Sequence, residues 1–135
     1  MSARMTILRS LTVSLALFGL AGCGGGPKDQ PTLHPVHGAV TLDSQPLPNA
    51  RVTFTPAKGP SSAAVTDEAG KYTLMHRSGE KGAVEGTHTV EVSTDLEGKH
   101  TKDAEKVPAK FNTQTNLSFI VKKGDNEYDI PLTSK

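Results

Sequence analysis

From Val36 onward the apolar residues of this chain recur at every second position, in short runs broken by glycine, proline, asparagine and aspartate. That period belongs to β-strands, whose side chains alternate between two faces, and it admits no amphipathic helix. Val36, Gly38, Val40 and Leu42 alternate with polar or small residues, and Asp43-Ser44-Gln45-Pro46 with Pro48-Asn49 supply a turn region. Ala50, Val52 and Phe54 then face one way and Arg51, Thr53 and Thr55 the other, in a half-buried strand that ends at Pro56. A short strand over residues 62–66 is followed by Asp67-Glu68-Ala69-Gly70, a turn in which Gly70 can take positive φ. Lys71 to Met75 returns with Tyr72 and Leu74 on one face, which makes the two a hairpin.

Later segments repeat the pattern. Val90 and Val92 point inward and Glu91 outward, and Leu117, Phe119 and Val121 alternate against Ser118, Ile120 and Lys122. A turn at Lys123-Gly124-Asp125-Asn126 leads to a last strand carrying Tyr128, Ile130 and Leu132. Pro131 has no N–H for a ladder, so this strand is expected at an edge or with that position turned to solvent. About seven such strands and no helical segment predict an all-β domain, a single antiparallel sandwich of two sheets face to face. An immunoglobulin-like sandwich has the same strand count, but its cysteine and tryptophan hallmarks are missing here.

The core must do without cross-links. The chain has one cysteine, Cys23, and no tryptophan, so stability rests on valine, leucine, isoleucine and Phe54, Tyr72, Phe111, Phe119 and Tyr128. Cys23 sits in a context of its own. Arg4 and Arg9 precede an apolar run from Leu11 to Leu20, and Ala21-Gly22 are the small residues a signal peptidase accepts. A helix that crosses a bilayer needs about 17 to 25 apolar residues, so this run is too short to span. Leu20-Ala21-Gly22-Cys23 resembles the lipobox of bacterial lipoprotein signals. The resemblance implies cleavage between Gly22 and Cys23, lipidation of the Cys23 thiol and acylation of the freed amine, which together make a multi-chain membrane anchor.

The predicted organisation is therefore a signal peptide over residues 1–22, a tether over 23–35 and a sandwich over 36–135. The tether, Gly24-Gly25-Gly26-Pro27-Lys28-Asp29-Gln30-Pro31-Thr32-Leu33-His34-Pro35, has no apolar period. Its length allows about 40 Å when extended and about 20 Å as a coil. Loss of residues 1–22 removes Arg4 and Arg9 and moves the formal net charge from +1 to −1. With charges interspersed rather than clustered, no nucleic-acid partner is expected.

Catalytic motifs are absent. The five histidines, His34, His37, His76, His88 and His100, form no metalloprotease pair, and there is no nucleophile elbow, phosphate loop or second cysteine. His34 and His37, or Met75 beside His76, offer imidazole and thioether donors that would suit copper. The competing reading puts His34 and His37 on a flexible segment and Met75 in the core, with no cofactor. Asp67 has only Glu68 as a close acidic neighbour, too few oxygens for calcium. Residues 94–110 are long, charged and without period, and such loops are either functional or disordered. Asp95, Glu97, Lys99, Lys102 and Asp103 make this the candidate partner loop. It has no aromatic to stack on sugar, which points to a protein or charged polymer rather than a glycan, with a glycan- or peptide-binding module as the alternative.

Val36-His37-Gly38-Ala39-Val40-Thr41-Leu42-Asp43 with Pro46-Leu47-Pro48-Asn49-Ala50-Arg51-Val52-Thr53-Phe54 resembles the opening of a carboxypeptidase regulatory-like domain, a transthyretin-like sandwich. Ala64-Val65-Thr66-Asp67-Glu68-Ala69-Gly70-Lys71-Tyr72-Thr73-Leu74 is similar to that family's second signature, and later segments resemble its small lipid-anchored members in planctomycete-type bacteria. Two positions depart: His88 stands where an aromatic is usual, and Ser44-Gln45 replaces a glycine-containing turn. The Tyr-Arg-Gly-Ser ending of the transthyretin-like hydrolases is missing. The resemblance implies a non-enzymatic lipoprotein of the cell envelope, facing an envelope protein or surface polymer, and it leaves the oligomeric state open.

Overall fold

The computed structural model describes residues 31–135. Gly22 and Cys23, the expected cleavage and lipidation positions, lie outside the described residues with most of the tether. Twelve short strands follow in order: β1 (Leu33–His34), β2 (Val36–Leu42), β3 (Gln45–Pro46), β4 (Arg51–Pro56), β5 (Ser62–Val65), β6 (Lys71–Thr73), β7 (Met75–His76), β8 (Ala83–Val84), β9 (Gly86–Ser93), β10 (Ser118–Val121), β11 (Asn126–Glu127) and β12 (Ile130–Leu132). One sheet runs β10-β9-β4-β5-β7, antiparallel throughout. A second is centred on β2, with β11 and β12 beside it and β3 and β6 also pairing with it, and β1 and β8 form a separate two-stranded sheet. Among the described residues no helix is long and apolar enough to cross a membrane.

The two sheets close on one apolar core. Val52, Phe54, Val90, Val92 and Val121 come from the first, Val36, Val40, Tyr72, Ile130 and Leu132 from the second, and Leu74 from the link between β6 and β7. Each fully buried aliphatic or aromatic side chain contributes about 1.5–3 kcal/mol. Phe54 is the hub: its ring centroid lies 5.8 to 6.5 Å from those of Tyr72, His88, Phe119 and Tyr128. Phe119 and Tyr128 stack at 4.4 Å. Tyr72 Oη donates to the Tyr128 carbonyl, and burial, followed by the neighbouring Tyr128 and Asp129, pushes its phenol well above the ordinary value.

Two expectations need correction, and the expected antiparallel sandwich holds with one departure. Strands pair antiparallel in both sheets except that β11 and β12 run parallel to β2. Period two reports which face a side chain takes and carries no information on strand direction. The count is twelve segments rather than about seven, because several strands are interrupted. Between β11 and β12 the chain is pressed against Gly38, where a Cβ would come within 2.0 Å of the Tyr128 carbonyl oxygen, and Asp129 Oδ1 takes the Ala39 N–H at 2.9 Å. The ordered domain also begins before Val36: Leu33 and His34 pair with Val84 and Ala83. Three residues between Pro31 and Pro35 are too few to show a period.

Turn chemistry follows the sequence closely. Ala69 N and Lys71 N both donate to Asp67 Oδ1 at 2.9 Å, and Gly70 N donates to the Asp67 carbonyl. Gly70 has φ +74°, and a Cβ there would meet the Val40 carbonyl oxygen at 2.6 Å. Leu42 pairs with Gln45, which leaves Asp43 (φ 50°) and Ser44 (φ 68°) as a two-residue hairpin loop in left-handed conformation. Such loops favour Asn-Gly, so this one carries strain. Pro131 is exposed on β12, whose one sheet neighbour among the described residues is β2.

Candidate functional site

The connection after β9 is held by a single carboxylate. β9 ends at Ser93, and Glu105 reaches back to it: Thr94 N (3.0 Å) and Val107 N (3.0 Å) donate to Oε1, and Ser93 Oγ donates to Oε2. Thr94 Oγ1 also lies 3.1 Å from Oε1 but has one proton, which its shorter contact to the Ala104 carbonyl (2.8 Å) takes, while Lys106 N donates to it at 2.7 Å. Burial pulls the Glu105 carboxyl upward, but the bonds from Ser93, Thr94 and Val107 outweigh it and hold the group below its ordinary value. The segment is thus folded rather than disordered. Its far end is pinned by buried Val107 and by Asn112, whose Nδ2 donates to the Val92 and Val107 carbonyls.

Above this clasp the expected partner residues divide into two groups. Asp95 is structural: Lys99 N (2.9 Å) and His100 N (2.7 Å) donate to its two oxygens. These backbone bonds, His100 first, keep its carboxyl below the ordinary value. Glu97 and Lys99 pair with each other at 2.6 Å, and Lys102 and Asp103 are exposed nearby. Arg51 Nη2 donates to the Leu96 carbonyl at 3.4 Å and ties the tip to β4. Two open concavities flank the loop, one of about 520 Å³ against His100, Lys102, Glu105 and Asn112, the other of about 240 Å³ against Asn49, Leu96 and Glu97. The arrangement offers a polar surface of both signs on a fixed base.

The histidines fall into two classes. His34 Nδ1 accepts the Gly124 N–H at 3.2 Å, and His37 Nε2 lies 2.9 Å from Asp125 Oδ2. That bond to Asp125, opposed by slight burial and aided by Glu127 and Asp129, raises His37 above its ordinary value. Both residues lie in strands rather than on a flexible segment. His76 and His88 are buried inside the sandwich: His76 Nδ1 accepts from Ser78, and His88 Nε2 donates to the Val84 carbonyl at 2.8 Å. Among the described residues, His76 Nε2, His88 Nδ1 and Ser62 Oγ are buried without a partner. Met75 is 41% exposed, not core, because β7 pairs His76 with inward-facing Ser62. Adjacent strand residues face opposite ways, so Met75 and His76 do not converge on one ion. Among the described residues no group of three histidine or acidic side chains is gathered for a metal.

Sequence reasoning missed Glu105, because nothing distinguishes it from the other acidic residues of an aperiodic stretch. It set His88 in the core or at its margin and left His76 unplaced, although the parity that turns Tyr72 and Leu74 inward turns His76 inward as well.

No family model matches the chain, and no curated protein matches it. Among solved structures it is similar to a DUF3823 family protein from Parabacteroides merdae, with a TM-score of 0.50 and 11% identity over 77% of this chain and 47% of that one. The chain thus spans about half the length of that protein, and the likeness is one of fold: an all-β sandwich.

Proposed function

We propose that this chain is a lipid-anchored cell-envelope protein of the carboxypeptidase regulatory-like type, held to its membrane through Cys23, with a non-catalytic sandwich that meets a protein or charged surface polymer. The observation that carries the reading is Leu20-Ala21-Gly22-Cys23 behind a short apolar run, followed by a Gly/Pro tether that leads into the fold at Leu33. The loop over residues 94–110 is the contact surface in this reading. Its Glu105 clasp gives Glu97, Lys99, Lys102 and Asp103 a rigid base, which lowers the entropy lost when a partner orders them. The Asp95 and Glu105 carboxylates, whose values are depressed, are spent on backbone amides and the Ser93 hydroxyl, a structural use that supports a binding role over catalysis.

The test is metabolic labelling of the full chain with an alkyne-bearing palmitate, followed by membrane fractionation. The wild-type protein is expected to take the label and sediment with membranes. Cys23→Ala should take none and keep residues 1–22. Label incorporated by Cys23→Ala would refute the anchor, and turnover of a substrate on a hydrolase panel would refute the non-catalytic reading. Charge reversal at Glu97, Lys102 and Asp103 together should abolish crosslinking to the partner while leaving the fold intact.

A further inference from the structure

β10 is an open edge. Val90 N donates to the Leu117 carbonyl, which sets the hydrogen-bonded pairs of the β9–β10 ladder at Leu117/Val90, Phe119/His88 and Val121/Gly86. In an antiparallel ladder the intervening residues direct their N–H and C=O away from the neighbour, so Ser118 and Ile120 present theirs outward. Among the described residues no other strand pairs with β10. Its residues, Ser118-Phe119-Ile120-Val121, carry no charge, proline or glycine, and Ile120 is 56% exposed. An uncharged, β-branched and aromatic edge of this kind is a template for another strand.

The β7 and β11–β12 edges are less open to a partner strand. β7 is covered by its own hairpin, with a Met75–Lys81 bridge and His76 N donating to the Glu80 carbonyl at 2.8 Å. The β11–β12 edge carries Asp125, Glu127, Asp129 and Pro131, residues that discourage pairing.

We propose that β10 is a homodimer edge, at which two copies of this chain pair antiparallel about Phe119 and join their larger sheets into one continuous sheet. In this register Ser118 of each copy stands opposite Ile120 of the other, and both outward backbone sets are satisfied, with about four hydrogen bonds between them. Phe119 meets Phe119 on the inner face, extending the Phe119–Tyr128 stack, while Ile120 on the outer face is shielded beside Ser118. Lys122 falls opposite Asn116, so no like charges oppose. The two-fold joins the β10 edge of each copy to that of the other, so this contact closes at two copies instead of growing into a fibre. Self-complementarity and closure favour a second copy over an unrelated strand. A pairing of two four-residue strands is small beside the roughly 20–30 residues a side of a standard interface, so the dimer is expected to be weak and concentration-driven.

The test is sedimentation of the full chain in detergent micelles at concentrations up to about 1 mM, with a benzophenone photocrosslinker at Ser118 in intact cells. The wild-type chain is expected to shift from monomer to dimer and to crosslink to residues 118–122 of a second copy. Ile120→Pro removes an N–H that the β9 ladder does not use, and Ile120→Lys keeps the backbone but adds charge. Each should lower the association constant at least tenfold with the circular dichroism spectrum unchanged. A chain that stays monomeric throughout, whether its edge is bare or covered by residues before 31, overturns the proposal. So does a dimer that both variants leave intact.

Discussion

Glu105 holds the candidate loop, and Glu105→Gln isolates the contribution of its charge. The side chain keeps its shape, and its amide oxygen can still accept from Thr94 N and Val107 N, but the partner that met Ser93 Oγ becomes a donor. Hydrogen bonds to a charged group contribute about 1.5–3 kcal/mol each and neutral ones about 1. Because Glu105 is only partly buried, solvent screening reduces the gain. For the two amide bonds and the lost hydroxyl bond together we expect about 1–2 kcal/mol of local stability, or roughly 5- to 30-fold faster exchange of the Thr94 and Val107 amides.

The pH dependence follows from the direction of the shift. Glu105 titrates below its ordinary value of 4.5 in the folded loop, so the unfolded loop binds more protons in the interval between the two values. Its stabilisation is complete above the unfolded value and is lost as pH falls through the folded one. Wild-type protection at Thr94 and Val107 should therefore decline as pH falls below the ordinary value of 4.5, whereas the glutamine variant shows no such decline from this group. Amide exchange read by nuclear magnetic resonance across that range decides the matter. Equal protection in the two proteins at neutral pH, or parallel pH profiles, would refute the clasp.

Ser44→Gly should stabilise the chain by about 1 kcal/mol in urea unfolding, because glycine relieves a left-handed residue in the β2–β3 loop; an unchanged midpoint would show that this loop is not strained. Gly70→Ala should cost at least about 2 kcal/mol, since a Cβ would both contact the Val40 carbonyl oxygen at 2.6 Å and sit at φ +74°. A fully folded variant with wild-type melting temperature contradicts that geometry. Ser62→Ala removes a buried hydroxyl that has no partner among the described residues and should raise stability by about 1 kcal/mol. Destabilisation would mean that the hydroxyl is bonded after all, with His76, its cross-strand neighbour, as the first place to look.

Alternation alone assigned the inward faces of β4, β6 and β9, and with them Val52, Phe54, Tyr72, Val90 and Val92, because the two-residue period of a strand is local and independent of its partners. The Asp67–Gly70 turn and the edge position of Pro131 were legible for the same reason: each depends on one residue's own backbone chemistry. The tertiary structure decided what joins distant residues. It set β11 and β12 parallel to β2, drew Leu33 and His34 into the domain, folded the loop over residues 94–110 onto Glu105 and left the outer side of β10 without a strand among the described residues. Strand pairing is a competition among all edges of the molecule at once. A sequence period specifies the face each residue turns to the core, but not the strand it will lie beside.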